Sequence, residues 1–187
     1  MDFFAHGFWG YIVFNKYRPR LAVLFALIPD VVSWFPFLLF RLFNEESFGR
    51  PNLMTMPDWV NVTYGLGHSL IIALFVVGIL FLIFYLKKKS LPYYALAYPM
   101  SILFDVPTHT KEFLPTPFLW PLSGWVFDGI SWGHGWFMLI NWGLIIGLIV
   151  YLKWGSLVKF FRNGNGSSGN VKVKKSVKKS VKKSEKV

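Results

Sequence analysis

Long apolar runs separated by short polar clusters dominate this chain. A helix needs about 20 mostly apolar residues to cross a bilayer core, and four runs approach that length: residues 21–43, 70–86, 91–106 and 136–152. A fifth run, 3–14, is short; it reads as a re-entrant or interfacial helix, or as the outer part of a span continuing toward Lys16. The pattern predicts an all-α, multi-pass helical membrane protein with about four transmembrane helices plus the N-terminal segment. Together these form one integral membrane domain over residues 1–160.

Composition strengthens this reading, because 54% of the residues are hydrophobic, 20% aromatic and only 16% charged, unlike an ordinary soluble domain. The cations then orient the runs. Lys16, Arg18 and Arg20 precede the first, Lys87, Lys88 and Lys89 follow the second, and Lys153, Lys159 and Arg162 follow the last. Placing all three groups in the cytoplasm satisfies the positive-inside tendency with one topology. It makes 44–61 and 111–131 external and the C-terminal tail of a cell-membrane protein cytoplasmic. Most of the net charge of +11 belongs to that tail. A Gly/Asn/Ser linker over 163–170 leads into a Val-Lys-Lys-Ser repeat, so 161–187 is expected to be a disordered basic tail suited to anionic headgroups. No specific nucleic-acid contact is expected, and the oligomeric state is not encoded in any feature of the chain.

Ionisable residues inside apolar runs change the picture from fold to chemistry. Such groups are rare in a bilayer without a partner, a water-filled cavity or an ion. Asp30 sits among apolar residues directly after Pro29, and His68 follows Gly65 and Gly67 at the start of the second run. Asp105 and His109 are four apart, a spacing that puts both on one helical face if Pro107 leaves the chain locally helical. His6 lies in the N-terminal segment and His134 at the outer end of the last run.

With no cysteine in the chain, a metal here must use imidazole, carboxylate or water. A divalent metal makes physical sense of the set, with Asp30, His68, Asp105, His109 and His6 as ligands, zinc as the first candidate and manganese or iron next. An open coordination position would activate water for attack on an ester or phosphoester, plausibly of a membrane lipid near the outer face. Ser69 and Thr108 are candidate outer donors, and His134 an additional ligand or acid. Two other classes use the same residues: a non-enzymatic membrane protein that binds lipid or a partner, its polar groups serving helix packing, and a small ion-coupled transporter.

The order His6, Ile28-Pro29-Asp30, Gly67-His68-Ser69, Asp105-Val106-Pro107-Thr108-His109 and Phe118-Leu119-Trp120-Pro121-Leu122 resembles the YdjM-type family of prokaryotic inner-membrane proteins described as metal-dependent hydrolases. The resemblance covers residues 2–142. It implies a multi-pass helical protein with a metal-dependent hydrolase activity of unassigned substrate. A more distant similarity is to zinc-dependent phospholipase C-like proteins. Thr63 and Ser101 stand where that family has histidines, and the second acid that often follows Pro-Asp is missing.

Depth sets a structural condition on any shared site. At 1.5 Å per residue from the cytoplasmic ends, Asp30 lies roughly 15 Å in, Asp105 about 21 Å and His68 about 28 Å. One ion cannot join groups so spread along the membrane normal, so the first run is expected to break at Pro29, laying 35–43 along the outer interface. The proline-rich 111–133 segment, with Trp120, Trp125 and Trp132, is expected to be irregular, acting as an interfacial anchor or as a lid, with Asp128 as a turn residue.

Overall fold

The computed structural model describes residues 1–44 and 56–155; the basic tail at 161–187 and Glu45 and Glu46 lie outside them. Among the described residues there are seven α-helices: α1 (Phe3–Val13), α2 (Pro19–Ala26), α3 (Ile28–Phe43), α4 (Asp58–His68), α5 (Leu70–Leu86), α6 (Ala97–Asp105) and α7 (Gly135–Gly155). Residues Met1–Ile145 form one compact unit; the described part of the second, which begins at Ile146, is the rest of α7.

The first long run is two helices, as the depth condition required. α2 and α3 meet at Leu27 with a bend of 52°. Pro29 has no N–H to give to the carbonyl one turn earlier, so the helix breaks just ahead of it and restarts with proline in its first turn. The break lies two residues before the expected position. A second break, of 51°, separates α4 from α5 at Ser69. The sequence pattern missed it, and counted 58–61 as external loop, although α4 runs from Asp58 to His68. Backbone groups freed there find partners elsewhere, Leu70 N donating to Phe118 O (2.9 Å) and Gly67 O accepting from Tyr98 Oη (3.1 Å), while the Ser69 hydroxyl donates to Trp120 O.

Among the described residues, one to three segments are long and apolar enough to cross a membrane. α7 is long and apolar enough to cross a membrane, and α2 with α3 and α4 with α5 also qualify if each bent pair is one span. The run 91–106 does not. It divides into a 3₁₀ turn (Tyr93–Leu96), α6, and a second 3₁₀ turn (Val106–Thr108). α6 alone is nine residues long, about 14 Å, roughly half a bilayer core. Prolines at 92, 99 and 107 explain the division.

Within the first unit, α1 packs on α2, α3 on α4, and α2 and α5 on α6. Ala22, Ala26 and Ala97 make one small-residue core, while Ala73, Val77, Ala95, Tyr98 and Ile102 make another. Trp9 Nε1 donates to Asn141 Oδ1 (2.9 Å), joining α1 to the start of α7. Residues 111–133 contain no helix and no strand, only an isolated bridge from Thr110 to Phe113.

Candidate functional site

Both helix breaks open onto the same place. Asp30 lies in the first turn of α3, His68 ends α4, Asp105 ends α6, and α1 lays His6 across them. All four side chains are buried. His6 Nε2 stands 3.0 Å from Asp105 Oδ1 and 3.9 Å from Asp30 Oδ2. His68 Nε2 stands 3.6 Å from Asp105 Oδ2 and 3.8 Å from Asp30 Oδ1. The breaks make this possible: straight helices would carry Asp30 and His68 to different depths, whereas here they are in contact.

Close backbone approach brings α4 against α3. A Cβ at position 67 would lie 2.6 Å from both Pro29 O and Ser33 Oγ, so only glycine permits this packing. One residue on, His68 meets the outer end of that contact. Tyr64 stacks on its imidazole with ring centroids 4.1 Å apart and donates from Oη to Leu114 O (2.8 Å), fixing the ring plane.

Ser33, which the sequence reading overlooked, determines the His68 tautomer. Its Oγ lies 2.7 Å from Pro29 O, 3.4 Å from Thr63 O and 3.1 Å from His68 Nδ1; with its one proton on the nearest carbonyl, it accepts from His68 Nδ1–H. Nε2 is left as a bare lone pair facing two carboxylates. The signal was available in the sequence, because Ser33 is three residues after Asp30 and four after Pro29, on the same helical face.

His109 joins the cluster in a different way. Val106–Thr108 stays helical through Pro107, and His109 N still donates to Asp105 O (3.1 Å). The ring turns the same way: Nδ1 donates to Asp105 O (3.1 Å), 3.6 Å from Asp105 Oδ1. Nδ1 is thereby engaged with a backbone carbonyl, and Nε2 is left as the acceptor of the ring.

The other expected residues do different work. Thr108 Oγ1 donates back to Phe104 O (2.9 Å), and Ser69 Oγ donates to Trp120 O while capping α5 by accepting from Ile72 N (3.2 Å). Neither hydroxyl is an outer donor to the cluster, because each has its proton on a backbone carbonyl. His134 is exposed and hydrogen-bonds Ser131 O through Nδ1 (2.9 Å), outside the cluster. Asp128 accepts from Lys111 N (2.9 Å), a loop clip. Ser101, in a histidine position of the resembled family, bonds Ala97 O (3.0 Å) within its own helix.

Unsatisfied atoms test whether this set suits a divalent cation. Both ring nitrogens of His6, Asp30 Oδ2 and Asp105 Oδ2 are buried without a hydrogen-bond partner. The 3.0 Å approach of His6 to Asp105 is thus a close contact without hydrogen-bond alignment. Donors bound at 2.0–2.2 Å around a tetrahedral ion stand about 3.3–3.6 Å apart, and the four contacts of 3.0 to 3.9 Å bracket that spacing. Donor type and spacing therefore fit. Shared bonding geometry does not yet exist: as the side chains stand, no group of three or more His, Asp or Glu among the described residues is arranged to hold an ion, and the Met1 amino group hydrogen-bonds Asp105 Oδ1.

A cleft of about 910 Å³ reaches the cluster from one side. Asp30 and His109 lie in its wall, with α3 forming one flank and Phe113, Leu114 and residues 131–134 contributing others. The segment 107–111 that carries His109 is held by its neighbour: Gly129 N donates to His109 O (2.8 Å), Ile130 N to Pro107 O (2.9 Å) and Trp132 N to Thr108 O (3.0 Å).

No protein-family model, curated protein or solved structure matches this chain.

Proposed function

We propose that this chain is an integral membrane hydrolase in which His6, Asp30, His68 and Asp105 would hold a divalent cation that keeps a further position open toward the cleft for water, zinc being the first candidate for imidazole and carboxylate donors. The observation that carries this reading is the Ser33-fixed tautomer of His68, whose bare Nε2 faces Asp30 Oδ1 at 3.8 Å and Asp105 Oδ2 at 3.6 Å. A lone pair turned onto two carboxylates calls for positive charge beside it; the Met1 amino group supplies this at Asp105, and a divalent cation would supply it to all three groups at once. The resemblance to inner-membrane metal-dependent hydrolases supports the same reading.

A bound divalent ion supplies Lewis-acid polarisation and activates water for attack on an ester or phosphoester. The chain's own groups do the rest. Ser33 and Tyr64 orient His68, α1 and α6 close the cluster to bulk water, and His109, with Nδ1 on the Asp105 carbonyl, presents Nε2 to take up the proton of the attacking water. In the membrane, the cationic clusters that precede α2 and follow α5 face the cytoplasm and the site lies in the outer half.

Elemental analysis of the full chain, purified in detergent without chelators, tests this directly. One equivalent of a divalent metal is expected in the parent and none in His68→Ala or Asp105→Ala, with hydrolysis of bis(p-nitrophenyl) phosphate abolished by chelation and restored by zinc. A folded parent without stoichiometric metal overturns the reading. It would favour a non-enzymatic membrane protein, the reading supported by the present lack of a shared bonding point in the cluster.

A further inference from the structure

We infer that the cleft along α3 is the binding site for one hydrocarbon chain of an amphiphilic ester or phosphoester, whose scissile group rests at Asp30 and His109. Only the placement of the scissile group rests on the hydrolase reading; the chain site stands on the cleft alone. Val31, Trp34, Phe35 and Leu38 line the cleft from α3, and Phe113 and Trp132 line it from the covering segment. Asp30 and Arg41 mark the two ends of this stripe, eleven residues apart, so the flank is about 16 Å long. Apart from Asp30, the flank is apolar until Arg41, whose guanidinium stacks over Phe37 at 5.7 Å.

Two properties select a chain-bearing ligand over a small polar one. The first is the wall: a polar substrate would leave this long flank dry and unused, whereas a hydrocarbon chain covers it. The second is the route of entry. Val31, Phe35 and Leu38 are 45%, 56% and 43% exposed, so the same residues belong to the cleft and to the outer apolar surface of the protein. In a bilayer that surface faces lipid tails. A chain can therefore slide in sideways from the hydrocarbon, with its polar end drawn to the only buried ionic cluster among the described residues that the cleft touches.

Two measurements on the full-length protein test the inference separately from the hydrolase reading. In the first, alkyl p-nitrophenyl phosphodiesters with chains of two to eight carbons are hydrolysed: water adds to phosphorus, the aryloxy bond breaks, p-nitrophenolate leaves and the water proton passes to His109. Burial of each methylene is expected to raise kcat/KM about fourfold, and Leu38→Trp, which fills the flank, should flatten that dependence with helical content unchanged. In the second, native mass spectrometry with added 12-carbon lysophosphatidylglycerol should show one tightly held adduct that Leu38→Trp abolishes. Turnover independent of chain length, or an adduct unaffected by Leu38→Trp, overturns the chain site while leaving the hydrolase reading intact. A single Leu38-dependent adduct without turnover of any diester supports the chain site and sinks the hydrolase.

Discussion

α5 and the α3–α4 pair are both apolar helical structure, yet they solve opposite problems. α5 is 17 residues without one Asp, Glu, His, Lys or Arg, and only Ala73 and Val77 are buried; Phe75, for example, is 68% exposed. It needs no specific partner where hydrocarbon surrounds it. The α3–α4 pair instead buries Asp30, Ser33, Gly67 and His68 against one another, next to the two breaks. An unbroken helix satisfies its own backbone and can be coated in any apolar side chains; a broken one frees backbone groups and re-aims side chains, which is where polar chemistry can be housed.

Removing the anchor of the polar region should have the largest effect. Asp105 meets His6, His68 and His109, so Asp105→Ala is expected to reduce turnover to background and to cost about 3–5 kcal/mol of stability by orphaning buried groups. A thermal melt in detergent beside a phosphodiester assay measures both; a variant as stable and active as the parent would reduce the cluster to a bystander. Next comes a pair of identical substitutions, one in each region. Gly67→Ala forces a Cβ to 2.6 Å from Pro29 O and Ser33 Oγ and should cost about 1–3 kcal/mol together with metal binding. Gly78→Ala, with nothing within 4 Å, should be neutral or stabilising by up to about 1 kcal/mol. Equal effects at the two glycines would erase the contrast.

Ser33→Ala probes tautomer control without adding bulk. Metal affinity should fall about 10–100-fold, measured by competition with a chromogenic chelator, while the melting temperature moves much less than in Gly67→Ala. An unchanged affinity would mean that Ser33 merely caps the α3 turn. The smallest effect belongs to the smooth helix: Phe75→Leu should stay within about 0.5 kcal/mol of the parent, and a larger loss would reveal a specific partner on the α5 face.

Much of this contrast was legible in the residues. The apolar runs marked α5 and α7 nearly to their ends, and the mismatch in depth between Asp30 and His68 called for a break near Pro29, found two residues earlier. The α4–α5 break was not legible, because no proline marks it; it is created by tertiary bonds from Phe118, Trp120 and Tyr98 that replace those of a continuing helix. Proline spacing could have divided 91–106, yet hydropathy alone made it look like a span. Ser33 escaped notice because a serine on an apolar face ordinarily bonds its own helix. Here it does that and also holds an imidazole; its place on the Asp30 face was readable from the spacing within α3, whereas the imidazole it meets is decided by the packing of α4.

The strap over His109 is built from main-chain donors: Gly129, Ile130 and Trp132 offer N–H groups to the carbonyls of His109, Pro107 and Thr108. Such a grip is indifferent to side-chain identity, so this stretch can drift in sequence while its hold on His109 persists. Position 129 is the exception, since a Cβ there would lie 2.3 Å from Pro107 O. A randomised library across 129–132, selected for function, should recover glycine at its first position and broad variety at the second.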